Sequence, residues 1–299
     1  MTESVLVRVP ATSANLGPGF DSLGLALDLH DDVEVELTGD DVQIDIDGHG
    51  AGEVDPGEGH LIIATMRRTF DLLGADQPKG IRLRCRNRIP HARGLGSSSA
   101  AIVAGVLAAR AFSDAPGFGD VQVLELAARI EGHPDNVAPC LYGGFTIAYT
   151  EAGTSRAVTL PVHEKVRPVA LIPDFRLSTE AARGLLPATI PHAEAAANSG
   201  NAALLVHALT QRPDLLMIAT EDHLHQSYRA PAMPRTAELV QRLRSAGVPA
   251  VVSGAGPTIL AFSGGSAQDS IASEVGTDWH IQPLNVDPAG AYVQFPETR

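Results

Sequence analysis

Val5, Val7 and Val9 alternate with Leu6 and Arg8, and Val33, Val35 and Leu37 alternate with Glu34 and Glu36. A period of two is the mark of a strand with one buried face, and Val42, Ile44 and Ile46 continue it. Asp47 to His60 carries five glycines and four acids, which predicts a loop. Ile62, Met66, Phe70 and Leu73 then recur at helical spacing, with Gly74 as the stop. Ile81, Leu83 and Cys85 alternate with Arg82, Arg84 and Arg86, a strand with three arginines on one face that Pro90 closes.

The small, apolar residues from Ser97 to Phe112 suit a buried helix, and Val123 to Ile130 predicts another after the Pro- and Gly-rich stretch Ala115 to Gly119. Phe145, Ile147 and Tyr149 mark a strand, and Val166 to Ile172 a further one. Helices are expected at about Thr179 to Leu186, His192 to Leu209, Asp214 to Gln226 and Arg235 to Ala246. Late strands follow at Ala250 to Ser253, Ile259 to Phe262 and His280 to Leu284. Strands first and then helices with a few strands is α+β organisation. It divides near residues 150 to 165, into expected domains 1–160 and 161–299. No internal repeat is present.

With 299 residues, 44% of them hydrophobic and 19% charged, the chain can bury a sizeable core. Its net charge of −13 opposes nonspecific binding to nucleic acid or an anionic membrane, so any phosphate site has to be local. The basic residues are arginines apart from Lys79 and Lys165. Neither lysine lies in a G-x-x-x-x-G-K-[ST] loop or a V-A-I-K setting, which excludes P-loop and protein-kinase readings. Two cysteines, Cys85 and Cys140, make neither a disulfide framework nor a C-x-x-C site. Cys140 is expected to be a packed thiol. The amino terminus lacks a signal-peptide pattern, and the longest apolar run, Ala100 to Ala109, falls short of the ~20 residues that span a bilayer. A cytoplasmic protein is expected.

The chemistry concentrates in IPHARGLGSSSAAIVAG, Ile89 to Gly105. A strand ends at a proline, glycines let backbone N–H groups converge, and three serines open a helix whose free amides and positive dipole end favour an anion. Serine hydroxyls can bond phosphate or join a Mg²⁺ shell. A helix capped after a flexible turn is the bland reading of the same residues. His223 and His225 form an H-x-H pair without a metal-ligand spacing and read as surface helix.

Pro90 to Ala100, P-x-x-x-G-L-G-S-S-S-A, resembles the phosphate-binding motif of the GHMP small-molecule kinases. Val9 to Leu27 and Val251 to Phe262 match the same superfamily in chain order, and the resemblance covers residues 5 to 262. Within it, P-A-T-S-A-N-L-G-P-G-F-D at 10–21 and H-P-D-N-V-A-P at 133–139 are most similar to the homoserine kinase family. The resemblance implies a domain like ribosomal protein S5 domain 2 followed by a ferredoxin-like domain, with ATP and substrate between them. It implies Mg²⁺- and ATP-dependent phosphorylation of the L-homoserine hydroxyl on the way to threonine, and a homodimer.

The resemblance also carries roles to individual residues. Pro90, His91, Ala92, Arg93, Gly94, Leu95, Gly96, Ser97, Ser98, Ser99 and Ala100 are expected to hold ATP, with Leu61 near the adenine; His60 stands where the family segment opens with Asn. Arg183 and Arg229 are expected to bind the substrate carboxylate with help from Thr179, and Asp21 the ammonium. Planar arginine forks suit carboxylates. Asn15 and Asn136 are expected around the reacting hydroxyl, with His133 and Gly256 in the substrate site. Ser98 and an acid are expected to hold Mg²⁺. The I-E-G context favours Glu131, and an ungapped count favours Glu125. Asp135 is a candidate base that the family pattern does not favour.

Overall fold

The computed structural model describes residues 4–113, 115–263 and 267–295. The first unit runs β1 (Ser4–Ala14), β2 (Leu23–Thr38), β3 (Gln43–Gly48), α1 (Leu61–Leu73), β4 (Gly80–Asn87), α2 (Ser97–Phe112), α3 (Asp120–Glu131), α4 (Val137–Tyr142), β5 (Phe145–Glu151) and β6 (Thr154–Leu160). The second runs β7 (Arg167–Pro173), α5 (Thr179–Arg183), α6 (His192–Thr210), α7 (Leu216–Ala219), α8 (Gln226–Arg229), α9 (Pro234–Ser245), β8 (Ala250–Val252), β9 (Ile259–Ser263), α10 (Ala267–Glu274) and β10 (Trp279–Pro283). Last comes β11 (Tyr292–Gln294).

The first sheet has the order β11-β1-β2-β4-β3, with β5 joined to the other end of β2 and β6 to β5. Its inner face carries Val5, Val7, Val33, Val35, Ile81, Leu83 and Cys85, all buried beneath the helices. The three arginines of β4 lie on the outer face, where the register sets them opposite the acids of β2. Arg82 Nη1 reaches Glu36 at 2.9 Å and Arg84 Nη1 reaches Glu34 at 3.1 Å. Such opposite-charge cross-strand pairs suit a solvated face.

The second sheet is antiparallel in the order β10-β7-β9-β8. With helices between β7 and β8 and between β9 and β10, this is the βαββαβ, ferredoxin-like arrangement. A core of Val169, Leu171, Leu239, Leu243, Ile259 and Ile271 holds it together. The two sheets divide between Leu160 and Arg167, and β11 then brings the chain back to pair with β1.

Several elements differ from the pattern-based expectation. β2 starts ten residues before Val33, at Leu23. Residues 23–27 are buried throughout, so no alternation marks them. α4, β6 and β11 are short or half-exposed and carry little periodic signal. The helix expected over Asp214 to Gln226 is broken into a 3₁₀ turn at Pro213–Leu215, α7 and α8. The reason is Asp222, whose carboxylate accepts the backbone N–H groups of Leu224, His225 and Gln226 and so competes with helical bonding. His225 is therefore not on a surface helix; it is completely buried.

Candidate active site

Three sequence-distant segments meet at the amino end of α2. Thr12 N–H donates to the Leu95 carbonyl at 3.1 Å, joining the end of β1 to the glycine-rich loop. Gly254 N–H donates to Ala14 O, and Thr258 N–H to Arg93 O, so the turn after β8 closes on both. Ser253 Oγ lies 2.8 Å from Ser13 Oγ and 2.6 Å from Gly94 O. This packing leaves no room for a side chain at the two glycines of the loop. Gly94 and Gly96 have φ of +75° and +73°, and a Cβ would come within 2.3 Å of Ser253 O at Gly94 and 2.0 Å of Thr12 Oγ1 at Gly96. Both conformations favour glycine.

Gly96 is the N-cap of α2 and supplies no side-chain cap, so the first amides of the helix keep their donors for an anion. Ser98 Oγ donates to Glu131 Oε2 at 2.8 Å and Ser99 Oγ to Glu131 Oε1 at 2.9 Å. Glu131, the last residue of α3, is thus brought onto the loop. Glu125 lies a turn and a half earlier and is engaged by Arg129 at 2.5 Å.

The loop separates two cavities. One, of about 390 Å³, is lined by Ser97, Ser98 and Ala100 with His91, Leu61 and Asp31. His60 also lines it and caps α1, its Nδ1 accepting the Ile62 N–H at 3.3 Å. Asp31 accepts the N–H groups of Arg88 and Ile89, and burial pushes its carboxyl up to about 6 against those bonds. The other cavity is a tight cleft of about 90 Å³ lined by residues 92–98 together with Asn15, Glu131, His133, Asp135, Asn136, Thr179, Arg183 and Arg229. A larger groove of about 560 Å³ crosses the charged outer sheet face, away from these motifs.

Within the cleft, Arg183 forks onto Asp21, Nη2 to Oδ1 at 2.6 Å and Nη1 to Oδ2 at 3.1 Å. That bond holds the Arg183 pKa above the ordinary value. Arg229 is only 1% exposed, and burial together with the charge of Arg183 lowers its pKa. Its Nη1 donates to Gly254 O at 3.3 Å, while its buried Nε has no partner among the described residues. Phe20 lies against both guanidinium groups, 5.6 Å from Arg183 Cζ and 5.4 Å from Arg229 Cζ, within cation–π range.

Asn136 Oδ1 accepts from Thr12 Oγ1 at 2.7 Å. Asn15, at a positive φ, uses its amide to join Gly254 O and the Asp21 N–H, so it braces the loop that carries Asp21. His133 Nδ1 is 2.6 Å from the buried Asp135 Oδ1. Burial pulls the imidazole down, but the bond to Asp135 and the charges of Asp135 and Glu131 outweigh it and raise its pKa. Asp135 is thereby engaged behind His133.

Two expected residues make their contacts elsewhere. Arg93 points its guanidinium away, donating to the carbonyls of Pro173, Asp174 and His91, so it joins the loop to the end of β7. Gly254 and Ala255 line the cleft, whereas Gly256 packs against Met233 and Gly94. Pro90 is buried ahead of the loop. Thr12, Ser13, Phe20 and Ser253 were not singled out from the sequence, and His225 was noted only in an H-x-H pair expected on a surface helix, whereas it is buried. For the first three the signal was their place inside the 10–21 motif, and for Ser253 its neighbour Gly254.

The comparisons bear on the family and the fold. Residues 60–144 match the model for the GHMP kinases N terminal domain, and residues 194–281 that for the GHMP kinases C terminal. A homoserine kinase of Streptomyces coelicolor is 54% identical over 97% of this chain and 94% of its own. One of Clavibacter michiganensis is 48% identical over 97% and 94%. The crystal structure of homoserine kinase from Cytophaga hutchinsonii superposes with a TM-score of 0.83 at 29% identity, covering 98% of both chains. A mevalonate kinase structure at 15% identity and TM-score 0.68 shares the fold. With these matches over nearly its whole length, the chain belongs to the homoserine kinase family of the GHMP kinases.

Proposed function

We infer that the chain transfers the γ-phosphoryl group of ATP to the side-chain hydroxyl of L-homoserine, giving O-phospho-L-homoserine and ADP in threonine biosynthesis. The observation that carries the reading is the pairing of Asp21 with Arg183 beside buried Arg229, next to the glycine-serine loop. Asp21 and Arg183 meet in each other the two charges that a zwitterionic α-amino acid also carries. Arg183 and Arg229 take the substrate carboxylate, with the Thr179 hydroxyl beside them, and Asp21 takes the ammonium. Anchored at that end, the substrate turns its hydroxyl toward the loop, past Asn136.

ATP lies with its phosphates on the amides and hydroxyls of residues 93–99 and its base in the cavity between Leu61, His91 and Asp31. Ser98 and Glu131 offer oxygen donors at the phosphate end, which fits Mg²⁺, an ion that takes oxygen ligands and keeps waters and phosphates. When bound, the ion neutralises phosphate charge.

Phosphoryl transfer depends on positioning and charge neutralisation more than on covalent chemistry. The homoserine oxygen attacks the γ-phosphorus in line, the bond from that phosphorus to the ADP oxygen breaks, and the hydroxyl proton passes to phosphate or solvent. Asp135, bonded to His133, is not needed as a base. No helix among the described residues is long and apolar enough to cross a membrane; cytoplasmic residence and a homodimer belong to the same reading. The test is ADP release with Mg²⁺ and ATP against L-homoserine, L-serine, L-threonine, mevalonate and no acceptor. Turnover with homoserine that a chelator abolishes is expected. Turnover only with mevalonate, or none with any acceptor despite ATP binding by folded protein, would overturn it.

A further inference from the structure

His225 is the buried group that the reaction as described leaves without a task. Its side chain is fully buried just behind the cleft, and both ring nitrogens are engaged. Nε2 lies 2.9 Å from the carbonyl oxygen of Gly17, which can only accept, so Nε2 carries a proton. Nδ1 lies 3.1 Å from Arg229 Nη1, and a guanidinium can only donate. One arrangement satisfies both contacts: the neutral ring with its proton on Nε2 and a lone pair on Nδ1.

We propose that His225 is a positioning residue for Arg229: hung on the Gly17 carbonyl, it offers Nδ1 as the acceptor that aims the guanidinium at the substrate carboxylate. This deepens the function proposed above and rests on Arg229 being the partner of that carboxylate.

The surroundings are built for that task. The Asp222 carboxylate fixes the backbone of residues 224–226, and its Oδ1 is 3.7 Å from Nε2. The Phe20 ring sits 5.3 Å from the imidazole and 5.4 Å from Arg229 Cζ, covering both. The charged groups acting on the ring are Asp222 and Asp21, which favour its protonation, and Arg229, which opposes it. Burial is the largest influence and keeps the pKa below the ordinary imidazole value, in line with a neutral ring. Gly17 belongs to the loop that carries Phe20 and Asp21, so one imidazole links the ammonium-binding loop to the carboxylate-binding arginine. An arginine already held in place loses less freedom on binding, which is felt in substrate affinity.

Two conservative variants separate positioning from mere support. H225N keeps an acceptor where Nδ1 stands but cannot reach Gly17. H225Q reaches Gly17 with its amide but leaves the Nδ1 position without an acceptor. H225Q is expected to raise the KM for L-homoserine by about tenfold or more, as loss of a hydrogen bond to a charged group does. The KM for ATP should stay unchanged and kcat should move much less than the KM. H225N is expected to stay within about threefold of the parent, since the bond to Arg229 survives. Equal effects from the two, or H225Q behaving better than H225N, would overturn the proposal.

R229K, measured alongside, separates the two levels of inference. A parent-like KM for homoserine in R229K would overturn the Arg229 reading and this one with it. An impaired R229K beside a parent-like H225Q would overturn only this one. Histidine side-chain ¹H–¹⁵N spectra of the parent protein decide the matter if a variant does not fold. A neutral Nε2–H tautomer for His225 at pH 7 is expected; an imidazolium or an Nδ1–H tautomer would overturn the proposal.

Discussion

Arg229→Met removes a charge that the fold itself does little to satisfy. Arg229 is 1% exposed, its Nε has no partner among the described residues, and the charge of Arg183 disfavours its own. A buried donor left unpaired costs about 1–3 kcal/mol, and each bond that the charged Nη1 makes contributes about 1.5–3 kcal/mol. The methionine gives up the bonds to His225 and Gly254 but removes the unpaired donor, and its thioether packs well on Phe20. Removing the guanidinium also removes the cost of keeping a charge out of water, several kcal/mol, which offsets the lost bonds, so stability is expected within ~1 kcal/mol of the parent, a shift of a few degrees in Tm for a chain of this size. Binding behaves differently. A guanidinium–carboxylate fork with two charge-assisted bonds contributes about 3–5 kcal/mol, so the KM for L-homoserine is expected to rise at least about a hundredfold. The assay pairs thermal melts with and without homoserine against steady-state kinetics. Parent and variant should melt alike without substrate, and only the parent should gain stability with it. A KM within threefold of the parent, or a collapse in Tm without substrate, would refute the reasoning; the collapse would show that Arg229 is a strut of the fold.

Glu131→Gln should raise the Mg²⁺ concentration for half-maximal turnover by about tenfold or more, while Glu125→Gln should leave it unchanged; the reverse order in a Mg²⁺ titration would move the ligand to Glu125. Asp135→Asn should retain turnover, since no carboxylate base is required, and abolished turnover in a folded protein that still binds substrate would refute the in-line reading. That variant also tests His133, whose pKa is raised in the folded protein. The stability it contributes is present below the unfolded pKa of about 6.5 and is lost as pH rises through the folded value. The advantage of the parent over Asp135→Asn in chemical unfolding should therefore shrink with rising pH. For Asp31, raised from 3.8 to about 6, the stabilisation is complete below the unfolded pKa and is lost as pH rises through about 6. Asp31→Asn can still accept the two backbone bonds, so it should gain on the parent by on the order of 3 kcal/mol between pH 3.5 and 7; a difference flat with pH would show that Asp31 titrates normally.

How much could be read ahead of the structure depended on whether each feature was local. The loop from Pro90 to Ala100 and the helix after it were legible because glycines and serines followed at once by small apolar residues mark a turn into a helix, and that order is written in the chain. The arginines of β4 were legible as one face because strand periodicity is local. Glu131 was favoured over Glu125 on its I-E-G context alone; that it meets Ser98 and Ser99 turns on where α3 ends in space, which no local pattern shows. The Arg93 guanidinium goes to carbonyls 80 and 81 positions away, which no local pattern could show, so only its backbone stays with the loop. His225 looked like a surface residue because Asp222 stops the expected helix and the docked Gly17 loop buries the ring.

The sequence by itself determined the elements with clean periodicity, the glycine-serine loop ahead of α2, and the stock of charged groups. Only the tertiary structure decided which of them meet. Thr12 finds Asn136 across 124 positions, Asp21 finds Arg183 across 162, and Ser13 finds Ser253 across 240. Side-chain spacing in a helix or strand is set by neighbouring residues, whereas contacts at these separations depend on how two sheets and their helices pack, which is a property of the whole core.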